Sequence, residues 1–188
     1  MRLKGLFILC FLLCVAIASQ AHATVVAFDD AYANSILTQP QTSFSDGGLT
    51  FTNNGTFMYV WGPSSPNSNG ANNLIFAGFG STDYLAITKT GGGAFTLSSI
   101  DMSISWYDSN ASETILVNGS PITLFQGIQT YALNLSDVRQ VNITGVPSLS
   151  GYWLAENVTY SAVPLPGALL LFGPGLVGLA AVRRRFKK

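Results

Sequence analysis

Thiols, imidazoles and positive charge are nearly absent from the middle of this chain. Of its two cysteines, one histidine and nine lysines and arginines, Cys10, Cys14 and His22 fall before Thr24, and residues 24–162 keep only Lys89 and Arg139. A stretch without cysteine forms no disulfide framework, although export would permit one. Without His or Cys it offers no zinc or haem site on those ligands, and no Ser-His-Asp or Cys-His nucleophile. The chemistry left is a pair of carboxylates of the glycosidase kind, or a Ser-Lys arrangement through Lys89. No recognisable motif marks either, so the expectation is a protein without catalytic activity.

The shortage of bases also selects partners. All nine acids lie between 24 and 162: Asp29, Asp30, Asp46, Asp83, Asp101, Asp108, Glu113, Asp137 and Glu156. Set against two bases they give that stretch a net charge of −7, although the whole chain is formally neutral. Nucleic acid and anionic lipid surfaces need basic patches, so this charge argues against both as ligands. Cations, neutral glycans or no ligand at all remain compatible.

Long apolar runs are confined to the two ends. At the start, Arg2 and Lys4 precede an apolar run over 6–18, then Ala21-His22-Ala23. This is the layout of a secretory signal peptide over 1–23, with Ala21 and Ala23 as the small residues of the cleavage site and Thr24 as the new N-terminus. At the other end, 163–182 carries no charge and is followed by Arg183, Arg184, Arg185, Lys187 and Lys188. As a helix, twenty residues at about 1.5 Å each reach roughly the 30 Å of a bilayer's hydrocarbon core. Pro174 and its neighbouring glycines weaken such a helix over about 167–182. The basic cluster stays on the cytoplasmic side, which leaves the preceding domain outside.

Between the ends the pattern is β. Ile100, Met102, Ile104 and Trp106 alternate with Asp101, Ser103 and Ser105, the period of a strand with one buried and one solvated face, and hence of an antiparallel sheet. Segments rich in β-branched and aromatic residues at 24–28, 49–52, 56–61, 73–76, 84–89, 113–117, 122–125, 129–135, 138–144 and 152–160 complete the predicted strands. Asn118-Gly119 is the strongest hairpin signal, because a type I′ turn needs positive φ at both central residues. Only 31–37 allows a helical turn or two. The expected fold is all-β: one antiparallel β-sandwich of jelly-roll type over 24–162, with a hydrophobic helix behind it.

Two groups of residues stand out. Tyr59 and Trp61 precede a polar, turn-rich loop over 63–73 and offer an aromatic platform for a sugar ring. The bland alternative is that Trp61 is a strand-end core residue. Glu156 shares parity with Leu154 and Val158, so an unbulged strand puts its carboxylate on their apolar face, at a desolvation cost unless it is partnered. The sequons at Asn54 and Asn157 arise readily in a chain rich in Asn, Ser and Thr and are not read as glycosylated.

The tail carries a resemblance. Pro164-Leu165-Pro166 after Val163, then Leu171-Phe172-Gly173, Gly175-Leu176-Val177-Gly178-Leu179 and Arg183-Arg184-Arg185 resemble the C-terminal sorting signal of bacterial PEP-CTERM proteins. Leu165 stands where glutamate is usual, as in the VPLP-type variant. The resemblance implies recognition and cleavage by an exosortase, a transpeptidase-like enzyme of the inner membrane, and delivery to the surface or matrix of an exopolysaccharide-producing, biofilm-forming cell. Glu156-Asn157 resembles the Asp-Asn pair in the last strand of PEP-CTERM sandwich domains, and Phe28-Asp29-Asp30 their opening strand. Galactose-binding-like jelly rolls often join first and last strands through a structural Ca²⁺, which implies Asp29 or Asp30 with Glu156 as ligands. Two alternatives to a non-catalytic matrix protein stay open: a glycan-binding module or weak carboxylate glycosidase, and a single-pass anchored periplasmic protein.

Overall fold

The computed structural model describes residues 22–29, 42–63, 69–78, 82–104, 111–144 and 152–163. Chain contacts divide the molecule into one unit over Ala23–Ala162 and a second made of Met1–His22 with Val163–Lys188. Among the described residues the first unit has twelve strands: β1 (Ala23–Val26), β2 (Ser43–Asp46), β3 (Leu49–Asn54), β4 (Phe57–Trp61), β5 (Asn73–Ala77), β6 (Tyr84–Lys89), β7 (Phe95–Ile104), β8 (Ser112–Val117), β9 (Ser120–Phe125), β10 (Gln129–Val138), β11 (Gln140–Thr144) and β12 (Tyr152–Ala162). Every pairing is antiparallel. Sheet A runs β10-β7-β12-β5-β4 with β1 also on β12, and sheet B runs β2-β3-β6-β11-β8-β9. The all-β, antiparallel sandwich expected from the sequence is the fold.

Alternation puts one face of each sheet into a shared core. Phe51, Ile87, Val141 and Ile115 from sheet B meet Met58, Phe76, Met102 and Trp153 from sheet A. Phe28 packs edge-on against Phe51 at 5.2 Å, and Phe76 meets Trp153 at 5.6 Å, so the largest rings join across strands. Two tight turns set register in sheet B. Asn118 and Gly119 have φ of 47° and 84° and join β8 to β9, as their sequence predicts. Gly47 and Gly48, with φ of 52° and 86°, do the same for β2 and β3.

The last strand is central. Along one edge β12 pairs with β7, and along the other it pairs with β5 over Tyr152–Ala155 and with β1 over Val158–Ser161. Between those partners the ladder is bulged: the register with β7 shifts between Glu156 and Val158, and Asn157 has φ of 34°.

Several strand bounds differ from the sequence reading, for identifiable reasons. β2 was not expected, since Ser-Phe-Ser-Asp carries a single large apolar side chain. The alternation expected from Ile100 extends back to Phe95, hidden by a second shift in register opposite Thr159 and Tyr160. The segments 129–135 and 138–144 divide instead at Arg139, because β10 runs on to Val138 through two register shifts, with positive φ at Asn134 and Asp137. Ser105, Trp106 and 31–37 lie outside the described residues.

Candidate functional site

In sheet A the middle of the face away from the core is also buried. All five residues of β5 are buried, and so are Trp153 through Glu156 of β12. Trp153 and Ala155 face the core, while Leu154 and Glu156 point the other way. Past the bulge parity reverses and Val158 returns to the core. Glu156 therefore shares a face with Leu154 but not with Val158, and the bulge leaves it fully buried. Asp101 and Ser103, expected to face solvent, are half-buried and buried respectively.

Register assembles this second face row by row. Trp61 pairs with Asn73, Glu156 with Asp101, and Asp101 with Thr130. The pairing of Ala155 with Leu74 carries Asn73 to the position beside Glu156. Trp61, Asn73, Glu156, Asp101 and Thr130 thus form one line across five strands. A second line holds Tyr59, Ile75, Leu154 and Ser103, and a third Phe57, Ala77 and Tyr152. Phe57 stands 5.0 Å from Tyr59 and 5.1 Å from Tyr152, ring centre to ring centre. Tyr59 and Trp61 are half-buried and lie outside the core cluster, so Trp61 is not a core residue.

Polar groups in the first line are held by one another. Thr130 Oγ1 donates to Asp101 Oδ1 at 2.6 Å and Asn157 Nδ2 to Asp101 Oδ2 at 3.0 Å. The Asn69 amide donates to Glu156 Oε1 at 3.4 Å, bringing the end of the 63–73 loop against the buried carboxylate. Asn72 Nδ2 donates to Asp29 Oδ1 at 2.7 Å, tying the exposed Asp29 after β1 to the same loop. Asn73 is fully buried and donates to the Gly62 carbonyl at 3.4 Å. Its Oδ1 and that of Asn72 are buried acceptors with no hydrogen-bond partner among the described residues. Unmatched buried oxygens of this kind call for a cation or a donor.

Of the residues singled out from the sequence, the fold brings Asp29, Glu156 and Trp61 to one region through Asn69, Asn72 and Asn73. Ala23 opens β1, and Val163 follows β12 half-buried. Ala21, Asp30, Pro164, Leu165, Pro166, Arg183, Arg184 and Arg185 lie outside the described residues. Sequence reasoning missed Asn72, Asn73, Asp101, Phe57 and Tyr152; only the strand register places them. Among the described residues no three His, Cys, Asp or Glu side chains cluster to hold a metal, and no helix is long and apolar enough to cross a membrane.

No protein-family model matches the chain, and no curated protein does. Solved structures overlap it loosely. A peptidoglycan O-acetylesterase matches 68% of this chain and 32% of its own at 14% identity and a TM-score of 0.41. The CBM22-1–GH10 modules of an endo-1,4-β-D-xylanase from Clostridium thermocellum, complexed with xylohexaose, match 63% and 27% at 14% identity and a TM-score of 0.40. A family two carbohydrate esterase from Cellvibrio japonicus matches 63% and 36% at 14% identity and a TM-score of 0.29. The chain thus spans about a third of the length of these proteins, and likenesses this loose carry no argument about its site.

Proposed function

We propose that this chain is an exported, non-catalytic protein of the cell surface or exopolysaccharide matrix, sorted through its tail by an exosortase, and that it contacts glycan through the outer face of sheet A. The observation that carries the glycan reading is the aromatic edge of that face. Phe57, Tyr59 and Trp61 project from β4 on the side away from the core, with the Phe57 and Tyr59 ring centres 5.0 Å apart. Half-exposed rings beside hydroxyl, amide and carboxylate groups suit the faces and hydroxyls of sugar rings. An acidic domain with only two bases favours neutral or cationic polymers.

A catalytic reading has less support. Glu156 and Asp101 are paired carboxylates, but Glu156 is fully buried and both Asp101 oxygens are engaged. Glycan binding is tested by affinity electrophoresis of the purified 24–162 segment in soluble β-glucan and chitosan. Trp61→Ala should weaken retardation about tenfold, a loss of about 1.4 kcal/mol, without shifting the melting temperature; no retardation of the unsubstituted protein by either polymer overturns the reading. Mass spectrometry of the native C-terminus tests sorting: cleavage near Val163–Pro166 supports it, and an intact Lys188 supports the anchored alternative.

We also propose that the region around Glu156 takes a structural Ca²⁺. The unmatched Asn72 and Asn73 oxygens support it, since they and Asp29 are hard oxygen ligands of the right kind. With Glu156 and backbone carbonyls they would hold the ion, which would tie the end of β1 to the middle of β12. A melting temperature indifferent to EDTA and to added Ca²⁺ overturns this.

A further inference from the structure

Asn72 and Asn73 divide their side-chain amides in the same way. Asn73 Nδ2 donates to the Gly62 carbonyl at 3.4 Å and Asn72 Nδ2 to Asp29 Oδ1 at 2.7 Å. The oxygen of each is buried with no hydrogen-bond partner among the described residues. The orientation is forced, because a backbone carbonyl and a carboxylate accept hydrogen bonds, and a flipped amide would set oxygen against oxygen. Two neighbouring oxygens are thus left as acceptors, and Asn73 as a whole is fully buried.

Asn73 also reaches the aromatic edge. It pairs with Trp61 across β4 and β5, and the carbonyl its amide holds belongs to Gly62, the residue after Trp61. One side chain therefore serves both the pair of acceptors and the end of β4. We propose that Ca²⁺ at the Asn72 and Asn73 oxygens controls glycan contact at Trp61, by selecting the arrangement in which Asn73 holds Gly62. Without the ion, the unmatched oxygen sets burial of Asn73 against a state in which its amide turns to water. In that second state Gly62 loses its donor, and the Trp61 end of β4 loses a restraint. The ion stabilises the buried arrangement alone, because only there do both oxygens stand ready together. Linkage makes the effect reciprocal: polymer bound at the edge tightens Ca²⁺ by the same factor.

This rests on the glycan and calcium readings above, and the experiment keeps the three apart. The full chain, purified in detergent, is run by affinity electrophoresis in soluble β-glucan and in chitosan, with Ca²⁺ or in calcium-stripped buffer. Ca²⁺ is also titrated calorimetrically with and without the polymer that retards the protein. Retardation should be about tenfold stronger with Ca²⁺, and polymer should lower the Ca²⁺ dissociation constant by the same factor. Asn73→Ala should hold retardation at the calcium-free level whatever the Ca²⁺ concentration. Asn72→Ala, which removes an ion ligand on the side of Asp29, should raise the Ca²⁺ concentration for half-maximal retardation about tenfold. Retardation and Ca²⁺ binding that ignore each other in the unsubstituted chain overturn the coupling and leave both readings standing. Absence of calorimetric binding sinks the calcium reading, absence of retardation in either buffer sinks the glycan reading, and each takes the coupling with it.

Discussion

Sheets A and B share one core but differ in what they do with the other face. In sheet B the outward positions Ser43, Ser45, Thr50, Thr52, Thr88, Gln140 and Asn142 are exposed or half-exposed hydroxyls and amides. They bond to each other across strands, as in Ser45 with Thr50 at 2.8 Å, or along one strand, as in Gln140 with Asn142 at 2.6 Å. Sheet A buries Ile75, Leu154, Glu156 and Asn73 on its outward side. A sandwich needs only one buried face per sheet, so sheet B meets the requirement of folding and sheet A exceeds it. The excess is where function is best sought, because burying a carboxylate and unmatched amide oxygens opposes stability.

Substitutions sharpen this contrast, beginning with the core the sheets share. Trp153→Ala removes the largest buried side chain of the central strand, and should lower unfolding free energy in urea by about 3–5 kcal/mol. Thr52→Ala on the outward face of sheet B should stay within about 0.5 kcal/mol in the same measurement. A comparable loss at both would abolish the distinction between the sheets.

The second test concerns the point where sheet B touches the exit of sheet A. A Cβ added at Gly48 would collide with the Tyr160 hydroxyl, and the residue has φ of 86°. Gly48→Ala should therefore lower the unfolding free energy by about 2–3 kcal/mol. At Gly119, φ is 84° but the added atom meets nothing, so Gly119→Ala should cost only about 1 kcal/mol. Thermal unfolding of both variants separates collision from backbone strain. Smaller still, Ser45→Ala breaks an exposed hydroxyl pair in sheet B and should shift stability by no more than about 0.5 kcal/mol.

The last effect appears only in alkali. Tyr131 of β10 packs against the core with its hydroxyl buried. Burial raises its pKa above 10.0, against a weaker opposing influence of the Phe125 backbone. A raised pKa in the folded state means that the neutral phenol stabilises the fold fully below pH 10 and loses that contribution as pH rises through the raised value. Melting temperatures should fall above pH 10, and Tyr131→Phe should flatten that fall; identical profiles would refute it.

Much of the architecture was legible from local pattern. Alternation at Ile100, Met102 and Ile104 named the core face of β7, and Asn118-Gly119 named the β8–β9 hairpin, because both signals depend on neighbouring residues alone. The start of β7 was not legible, since a register irregularity breaks the period. Nor was the face of Val158, since the bulge at Asn157 reverses parity. In the candidate site, Tyr59, Trp61 and Glu156 were visible as unusual residues at plain parity. Asn72, Asn73 and Asp101 were not, because nothing local ties an asparagine at 73 to a glutamate at 156.

By itself the sequence determined composition and its consequences: an acidic, Cys- and His-free stretch between two apolar ends, built of strands with one face for a core. Only the tertiary structure decided that the last strand lies at the centre of sheet A, that β1 and β5 share its edge, and that Glu156 is buried beside Asn73. Pairing between strands far apart in sequence is set by the global packing of faces and by bulges, and no short-range pattern encodes that.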